Sequence, residues 1–334
     1  MKVSNPSLSR ILIVATSVAL LAACSSSDGD GGNQAQTGFL KVGITDAPVD
    51  MAAAVVVKFT GVELKPQGGP AFSIDFATPK SLDLMQFQGD ERAVLLDGEE
   101  ILAGDYEWMR LKVESDPNVA GDSYLQLEAN GAQCEMRIPS GDQTGLKLIR
   151  GFTIGAGTTT DFTIDFDLRK SIVAPPGQTT IVDTCDNQAF MLKPVLRIVD
   201  NLQVGTIAGD VDPNLIAAQC GASDQDPYPG NVYLFGPIPT GADVTPDDYD
   251  GDGDALTSAM VSPDTFRYTI GFVPAGNYRV AYTCDLDDTE IDADVVPPAP
   301  AIGETVEFTP PAGFAVTVTP KVTQEVDFVM STAG

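Results

Sequence analysis

The sequence predicts an all-β chain built as two β-sandwich domains. Three observations predict it. Short apolar runs recur whose residues alternate with polar ones, Gly/Pro/Asp punctuation separates them, and no long segment carries a helical period. Phe162-Thr163-Ile164-Asp165-Phe166-Asp167-Leu168 is the clearest alternation. Its apolar residues face one side and its polar residues the other, as in a half-buried antiparallel strand. Pro139-Ser140-Gly141-Asp142 and Pro175-Pro176-Gly177 are typical breaks between such runs. Many short strands without long helices argue for sandwiches.

The first element, residues 1–23, is a targeting segment. Lys2 and Arg10 precede an apolar run from Ile11 to Leu21. That run is shorter than the roughly 20 residues a membrane-spanning helix needs, and small residues follow it, so it reads as a secretory signal. Leu21-Ala22-Ala23-Cys24 resembles the bacterial lipoprotein lipobox. The resemblance implies cleavage before Cys24, lipidation of its thiol, and the membrane as a partner through that lipid. Ser25 in the next position is similar to the Gram-negative signal for outer-membrane delivery. Residues 24–36, rich in Gly, Ser and Asp, form a flexible tether.

Residues 37–200 make the first domain. Its strand-like runs include Phe39 to Ile44, Val55 to Phe59, Val62 to Leu64, Phe72 to Phe76 and the alternating 162–168 segment, and it closes with Phe190 to Val199. Residues 203–334 make the second, smaller domain. Its runs begin at Val204–Gly209 and continue through Val232–Phe235, Phe266–Ile270, Tyr278–Tyr282, Val306–Phe308, Val316–Val318 and Val326–Val329. Helix is confined to short segments such as Met51–Ala54 or Leu168–Ile172. Ala103-Gly104-Asp105-Tyr106 in the first domain echoes Ala275-Gly276-Asn277-Tyr278 in the second. Two readings fit the echo: a shared β-turn device, or duplication of one domain type.

Ordered segments of the first domain resemble the domain-of-unknown-function family 4382 of bacterial lipoproteins. They are Gly38 to Pro48, Gly61-Val62-Glu63-Leu64, Ala103 to Tyr106 with Arg110-Leu111, Pro139-Ser140-Gly141, Gly145 to Leu148, Asp165-Phe166-Asp167 with Lys170-Ser171, and Leu192-Lys193-Pro194. The resemblance implies an exported β-rich module and carries no activity. Gly205 to Gly209 and Pro274 to Tyr278 make the second domain similar to prealbumin-like sandwich modules also found in carboxypeptidase regulatory regions. Such modules act as spacers or binding domains, and some related folds bind carbohydrate.

Composition narrows the chemistry. The chain has 334 residues and a formal net charge of −28. Its first 23 residues hold two basic and no acidic residues, so the remainder sets 17 basic against 47 acidic residues, a net charge of −30. So negative a field opposes nucleic acid and anionic lipid headgroups. No nucleic-acid partner is expected, and an envelope protein or glycan partner is left unidentified. There is no histidine. Ser-His-Asp and Cys-His catalysis and histidine-ligated metals are therefore excluded, no organic cofactor is expected, and any metal must take oxygen ligands. Beyond Cys24 the cysteines are Cys134, Cys185, Cys220 and Cys284, an even number that fits disulfides in an exported protein. Three connectivities are open, and the domain division favours Cys134–Cys185 with Cys220–Cys284.

Two acidic constellations stand out. Asp248, Asp250, Asp252 and Asp254, in a loop with Gly251 and Gly253, match the first half of an EF-hand calcium loop. Where that loop needs a bidentate glutamate the chain has Ala259, so the expectation is a weak calcium site or plain solvated charge. Asp161, Asp165 and Asp167 share one face of a strand, with Asp46 at the end of the first strand as a neighbour. Paired carboxylates serve glycoside hydrolysis or hold metal; the plainer reading is turn capping and pairing with Arg169, Lys170, Lys147 or Lys193. Trp108 with Tyr228, Tyr233, Tyr249, Tyr268 and Tyr282 forms either a sugar-stacking platform or core packing. The resulting expectation is a non-enzymatic envelope module, with a carbohydrate-binding or histidine-free carboxylate glycoside-active protein as the alternative.

Overall fold

The computed structural model describes residues 36–47, 52–115, 122–127, 131–138, 145–148, 150–173, 190–220, 229–239, 255–284 and 308–330. These residues are all-β apart from short helices. Among them no helix is long and apolar enough to cross a membrane.

The first half opens with β1 (Thr37–Ala47), in which alternate residues Leu40, Val42 and Ile44 are buried. There follow β2 (Ala52–Pro66), β3 (Phe72–Asp83), a 3-10 turn at Leu84–Gln86 capped by Asp83, β4 (Ala93–Leu102), β5 (Gly104–Glu114), β6 (Tyr124–Leu127) and β7 (Gln133–Arg137). Then come β8 (Leu146–Leu148), β9 (Phe152–Ile154), β10 (Thr159–Asp167), helix α1 (Leu168–Ser171), β11 (Ile172–Val173), β12 (Phe190–Leu192) and β13 (Leu196–Asp200). One sheet runs β13-β10-β1-β4; the facing sheet runs β11-β12-β7-β6-β2-β5-β8, with β3 beside β2 and β9 beside β5. The core lies between them: Phe59 of β2 meets Phe166 of β10 edge-on at 6.4 Å between ring centres. At the rim of the first sheet, Lys80 of β3 donates to the carbonyls of Val94 and Leu95 on β4 (3.0 and 2.9 Å).

The second half holds β14 (Val204–Asp210), helix α2 (Pro213–Gln219), β15 (Asn231–Phe235), β16 (Ala255–Met260), β17 (Arg267–Pro274), β18 (Gly276–Thr283), β19 (Thr309–Val318) and β20 (Thr323–Glu325). Its sheets run β17-β14-β20 and β16-β15-β18-β19. A separate core of Ile207, Val232, Leu234, Tyr268, Val280, Tyr282 and Phe328 fills the space between them. Cys220 and Cys284 form a disulfide, and the Tyr282 hydroxyl sits 3.1 and 3.0 Å from its two sulfurs. Cys134 is also disulfide-bonded, while Cys185 lies outside the described residues.

The two halves use one strand plan. β1 lies between β4, antiparallel, and β10, parallel; β14 lies in the same way between β17 and β20. β2 pairs antiparallel with β3 and β5, as β15 does with β16 and β18. The sequence echo falls at the same corner in each half, where one residue, Ala103 or Ala275, passes the chain from one sheet to the other. There the Tyr106 hydroxyl donates to the Leu102 carbonyl at 2.8 Å, and Tyr278 donates to Pro274 at 2.9 Å. Both tyrosines are buried and bond four residues back, a corner device of sandwich proteins. Gly104 opens the first corner strand at φ +138°, where a side chain would be strained.

Several elements differ from expectation. Ala52–Ala54 is strand, not helix: β6 pairs with this stretch and draws the alanines into the ladder that the Val55-Val56-Val57 run begins. The last ladder is Thr323–Glu325, and of the expected Val326–Val329 run only Phe328 makes a bridge, to Val211. β10 is antiparallel to β13 but parallel to β1, because a long excursion of chain separates β1 from β10 and no hairpin ties them. Helix α2 was not expected; its signal is Asp212-Pro213, a cap followed by proline at the first helical position.

Candidate functional site

The polar face of β10 is the place where the two halves meet. Thr163 is fully buried and Asp165 is 7% exposed, so this face is covered where half-exposure was expected. Part of the cover is the second half. β15 is buried on both faces: Val232 and Leu234 point into its own core, while Tyr233 and Phe235 join Ala255, Ala281 and Phe308 in a second cluster. The Arg169 guanidinium lies 5.5 Å over the Tyr233 ring, and Lys170 donates to the Ala255 carbonyl. Further along, Lys321 donates to the Asn201 carbonyl, and Gly271 lies so close to the Gly89 carbonyl that a β-carbon there would stand 2.0 Å from it.

A cavity of about 260 Å³ opens in this seam. Its charged walls are Asp165, Asp167, Lys170 and Arg197; Val195, Leu196 and Leu256 supply the apolar part. β10 delivers Asp165 and Asp167 at consecutive outward positions, and α1, starting directly after Asp167, turns Lys170 back over them.

Each of the three strand aspartates has a specific cation or cap. Asp161 takes both terminal nitrogens of Arg92 (2.8 and 2.9 Å), and Arg92 also reaches Thr163 Oγ1 (3.2 Å). Thr163 then donates to Asn201 Oδ1 at 2.8 Å. Asp165 Oδ2 accepts from Nε of Arg197 at 3.1 Å and from Nη2 more closely. Burial pushes the Asp165 carboxyl above its ordinary range, against the pull of the Arg197 guanidinium. Asp167 caps α1 by accepting from the Lys170 backbone N–H (3.2 Å) and pairs with the Lys170 ammonium (3.3 Å). Capping and the Lys170 pair were expected; Arg92 and Arg197 were not. They come from 69 and 32 residues away, and no local spacing announces them. Asp46 is buried and in register with Phe166, not with Asp165 or Asp167. Paired residues of neighbouring strands share a face, so the register sets Asp46 on the other side of the sheet.

Of the expected aromatic platform, Tyr233, Tyr268 and Tyr282 are core residues at most 1% exposed. Burial pushes the Tyr268 and Tyr282 hydroxyls up. Trp108, half-buried on the outer face of β5, carries Arg110 at 4.8 Å and Lys147 at 4.6 Å from its ring centre. Among the described residues no group of three or more His, Cys, Asp or Glu is placed to hold a metal ion. Cys24, Asp248, Asp250, Asp252, Asp254, Tyr228 and Tyr249 lie outside the described residues.

Residues 37–194 match the family model described as Domain of unknown function (DUF4382). The match spans β1 to β12 and includes Asp161, Asp165, Asp167 and Lys170, while Arg197 and the second half lie beyond it. No curated protein matches the chain. Among solved structures, a leucine-rich repeat protein from Bacteroides thetaiotaomicron aligns at 11% identity over 88% of this chain and 26% of its own, with a TM-score of 0.18. The chain thus spans about a quarter of that protein's length. The minor pilin of Streptococcus agalactiae aligns at 9% identity over 86% and 94% of the two chains (TM-score 0.19). A putative adhesin from Bacteroides ovatus aligns at 11% identity over 94% and 100% (TM-score 0.17).

Proposed function

We propose that the chain is a non-enzymatic lipoprotein of the bacterial cell envelope, a structural or binding module held on the outer membrane by a lipid on Cys24. The observation that carries the non-enzymatic reading is the state of its best carboxylates. Glycoside hydrolysis needs one carboxyl free to give a proton and another free to attack or to activate water. Here Asp161 is clamped by Arg92, Asp165 by Arg197, and Asp167 by a helix end and Lys170. Each of these carboxylates is committed to a structural partner. The buried tyrosines likewise withdraw support from a sugar-stacking platform.

The anchor is tested in a Gram-negative host by labelling with radioactive palmitate. Label in the wild-type chain, outer-membrane fractionation, and loss of both in Cys24→Ser are expected; a chain that stays unlabelled and soluble overturns the anchor. A calcium-stabilised loop belongs to the same reading. Calcium should raise the melting temperature, and Asp250→Ala/Asp252→Ala should abolish the rise, since a ligand bound only by the folded state stabilises it. An identical melting curve in calcium and in chelator reduces that loop to solvated charge.

A further inference from the structure

The end of the first half at which β1 begins is built from uncharged chain. β4 runs antiparallel to β1 and brings Leu102 level with Thr37, and Ala103 donates its N–H to the Gln36 carbonyl at 2.8 Å. β10 runs parallel to β1, so the turn before it lies here too: Gly157 donates to the Thr37 carbonyl at 2.8 Å, and Phe39 to the Thr158 carbonyl at 2.9 Å. β13 finishes beside the start of β10, where Asn201 donates to the Asp161 carbonyl at 3.0 Å, and Leu202 follows. From the facing sheet the turn after β2 arrives, Gln67 donating to the Asp105 carbonyl at 2.8 Å. Residues 37–40, 66–72, 101–104, 151–160 and 201–209 hold no Asp, Glu, Lys or Arg, in a chain of which 20% is charged. The opposite end of the same sheets carries Asp83, Asp90, Glu91, Asp167, Arg169 and Lys170.

Apolar side chains stand out from the uncharged end. Phe39 is 41% exposed, Leu102 50% and Leu202 64%. Phe39 and Leu102 share one face of neighbouring strands as diagonal partners, about 7–8 Å apart. Single exposed apolar residues are ordinary, but a group of them on the one uncharged end of a strongly acidic protein marks a contact surface. Chain length selects what covers it. Residues 24–36 join Cys24 to this end, and a Gly/Ser-rich chain of that length spans about 20 Å on average. β1 alone, at 11 residues, is about 35 Å long. An anchor at Cys24 therefore holds the uncharged end nearer the membrane than the charged one.

We infer that this end rests on the membrane surface, with Phe39, Leu102 and Leu202 set among neutral lipid headgroups. The inference rests on the Cys24 anchor and adds an orientation to it: the lipid supplies the affinity, and the uncharged end decides which way the folded part stands. Glu99, Glu100 and Asp200 border the end and repel anionic headgroups, so the surface it fits is zwitterionic.

The test uses the full lipidated chain in phosphatidylcholine vesicles whose acyl chains are brominated near the headgroup, since bromine quenches a nearby indole. Trp108 is the only tryptophan, so Trp108→Phe clears the background for single reporters. Phe39→Trp and Leu102→Trp should lose fluorescence to the bromolipid. Val94→Trp, at an exposed position on β4 but towards its other end, should keep it. A second measurement needs no variant: amide hydrogen exchange at residues 151–160 should slow on vesicles relative to detergent, and exchange at residues 83–92 should not. Equal quenching at positions 94 and 102 overturns the proposal. So does a palmitate-labelled chain that floats with the vesicles yet shows neither quenching at 39 and 102 nor slowed exchange at 151–160; the anchor then stands and the orientation falls. A chain without palmitate overturns the anchor and this contact with it. Fluorescence changes that grow with protein concentration and need no lipid give the surface to a second copy of the chain, and overturn the proposal as well.

Discussion

Tyr106 and Tyr278 each tie a sheet-to-sheet corner by one hydroxyl. Removing either hydroxyl leaves a Leu102 or Pro274 carbonyl without that donor. Tyr106→Phe and Tyr278→Phe should each cost about 1–2 kcal/mol in denaturant-midpoint measurements. Equal losses are expected, since the two bonds have one geometry. Asp165 gives a pH prediction. Its carboxyl is raised above 3.8 in the folded chain by burial, so the folded state holds that proton longer than the unfolded one. The contribution of this group to stability is complete below 3.8 and is lost as pH rises toward the raised value. Asp97, lowered by Lys41, and Asp212, lowered by the backbone N–H of Asn214, act in the opposite sense, losing stability as pH falls below 3.8. Asp165→Asn should therefore flatten the slope above pH 4 and leave the acid limb in place, read from melting temperatures across pH 3 to 8. An unchanged slope above pH 4 would mean that Arg197 fully offsets the burial.

At the scale of elements, the sequence was most legible where one face of a strand looks inward. The alternation of β10 and the runs of β14 and β18 follow from period-two patterning. A short helix was readable at Leu168–Ile172, and the structure has one at Leu168–Ser171, capped by Asp167. Legibility failed where partners decide. Ala52–Ala54 has the composition of a helix start, and only β6, arriving from more than seventy residues downstream, makes it strand. Thr323–Glu325 is polar and short, and it is strand because β14 offers a ladder there. The candidate site shows the same limit: Asp161, Asp165 and Asp167 could be placed on one face from spacing alone, but Arg92 and Arg197 are tertiary gifts of β4's approach and of β13.

For the whole molecule, the seam is what the sequence concealed most. Nothing in the Tyr233 or Phe235 pattern says that both faces of β15 are covered, because the cover comes from Phe308, far along the chain, and from Arg169 of the first half. One close point of docking among the described residues is Gly271 against Gly89, backbone on backbone. Gly271→Ala must push a methyl group into the Gly89 carbonyl or part the halves. A loss of about 1–3 kcal/mol is expected, the usual cost of overpacking. Differential scanning calorimetry should show it as a lowered or divided transition; a variant that melts as the wild type does would mean that this contact yields freely.

Lys80 has one more consequence. β4 is the last strand of its sheet, and the carbonyls of Val94 and Leu95 are already taken by the Lys80 ammonium. An extended segment from another molecule approaching this rim finds a positive charge and occupied acceptors in place of a template. That stretch of the rim is blunted, so crowding these chains together meets a charged obstacle to strand addition there.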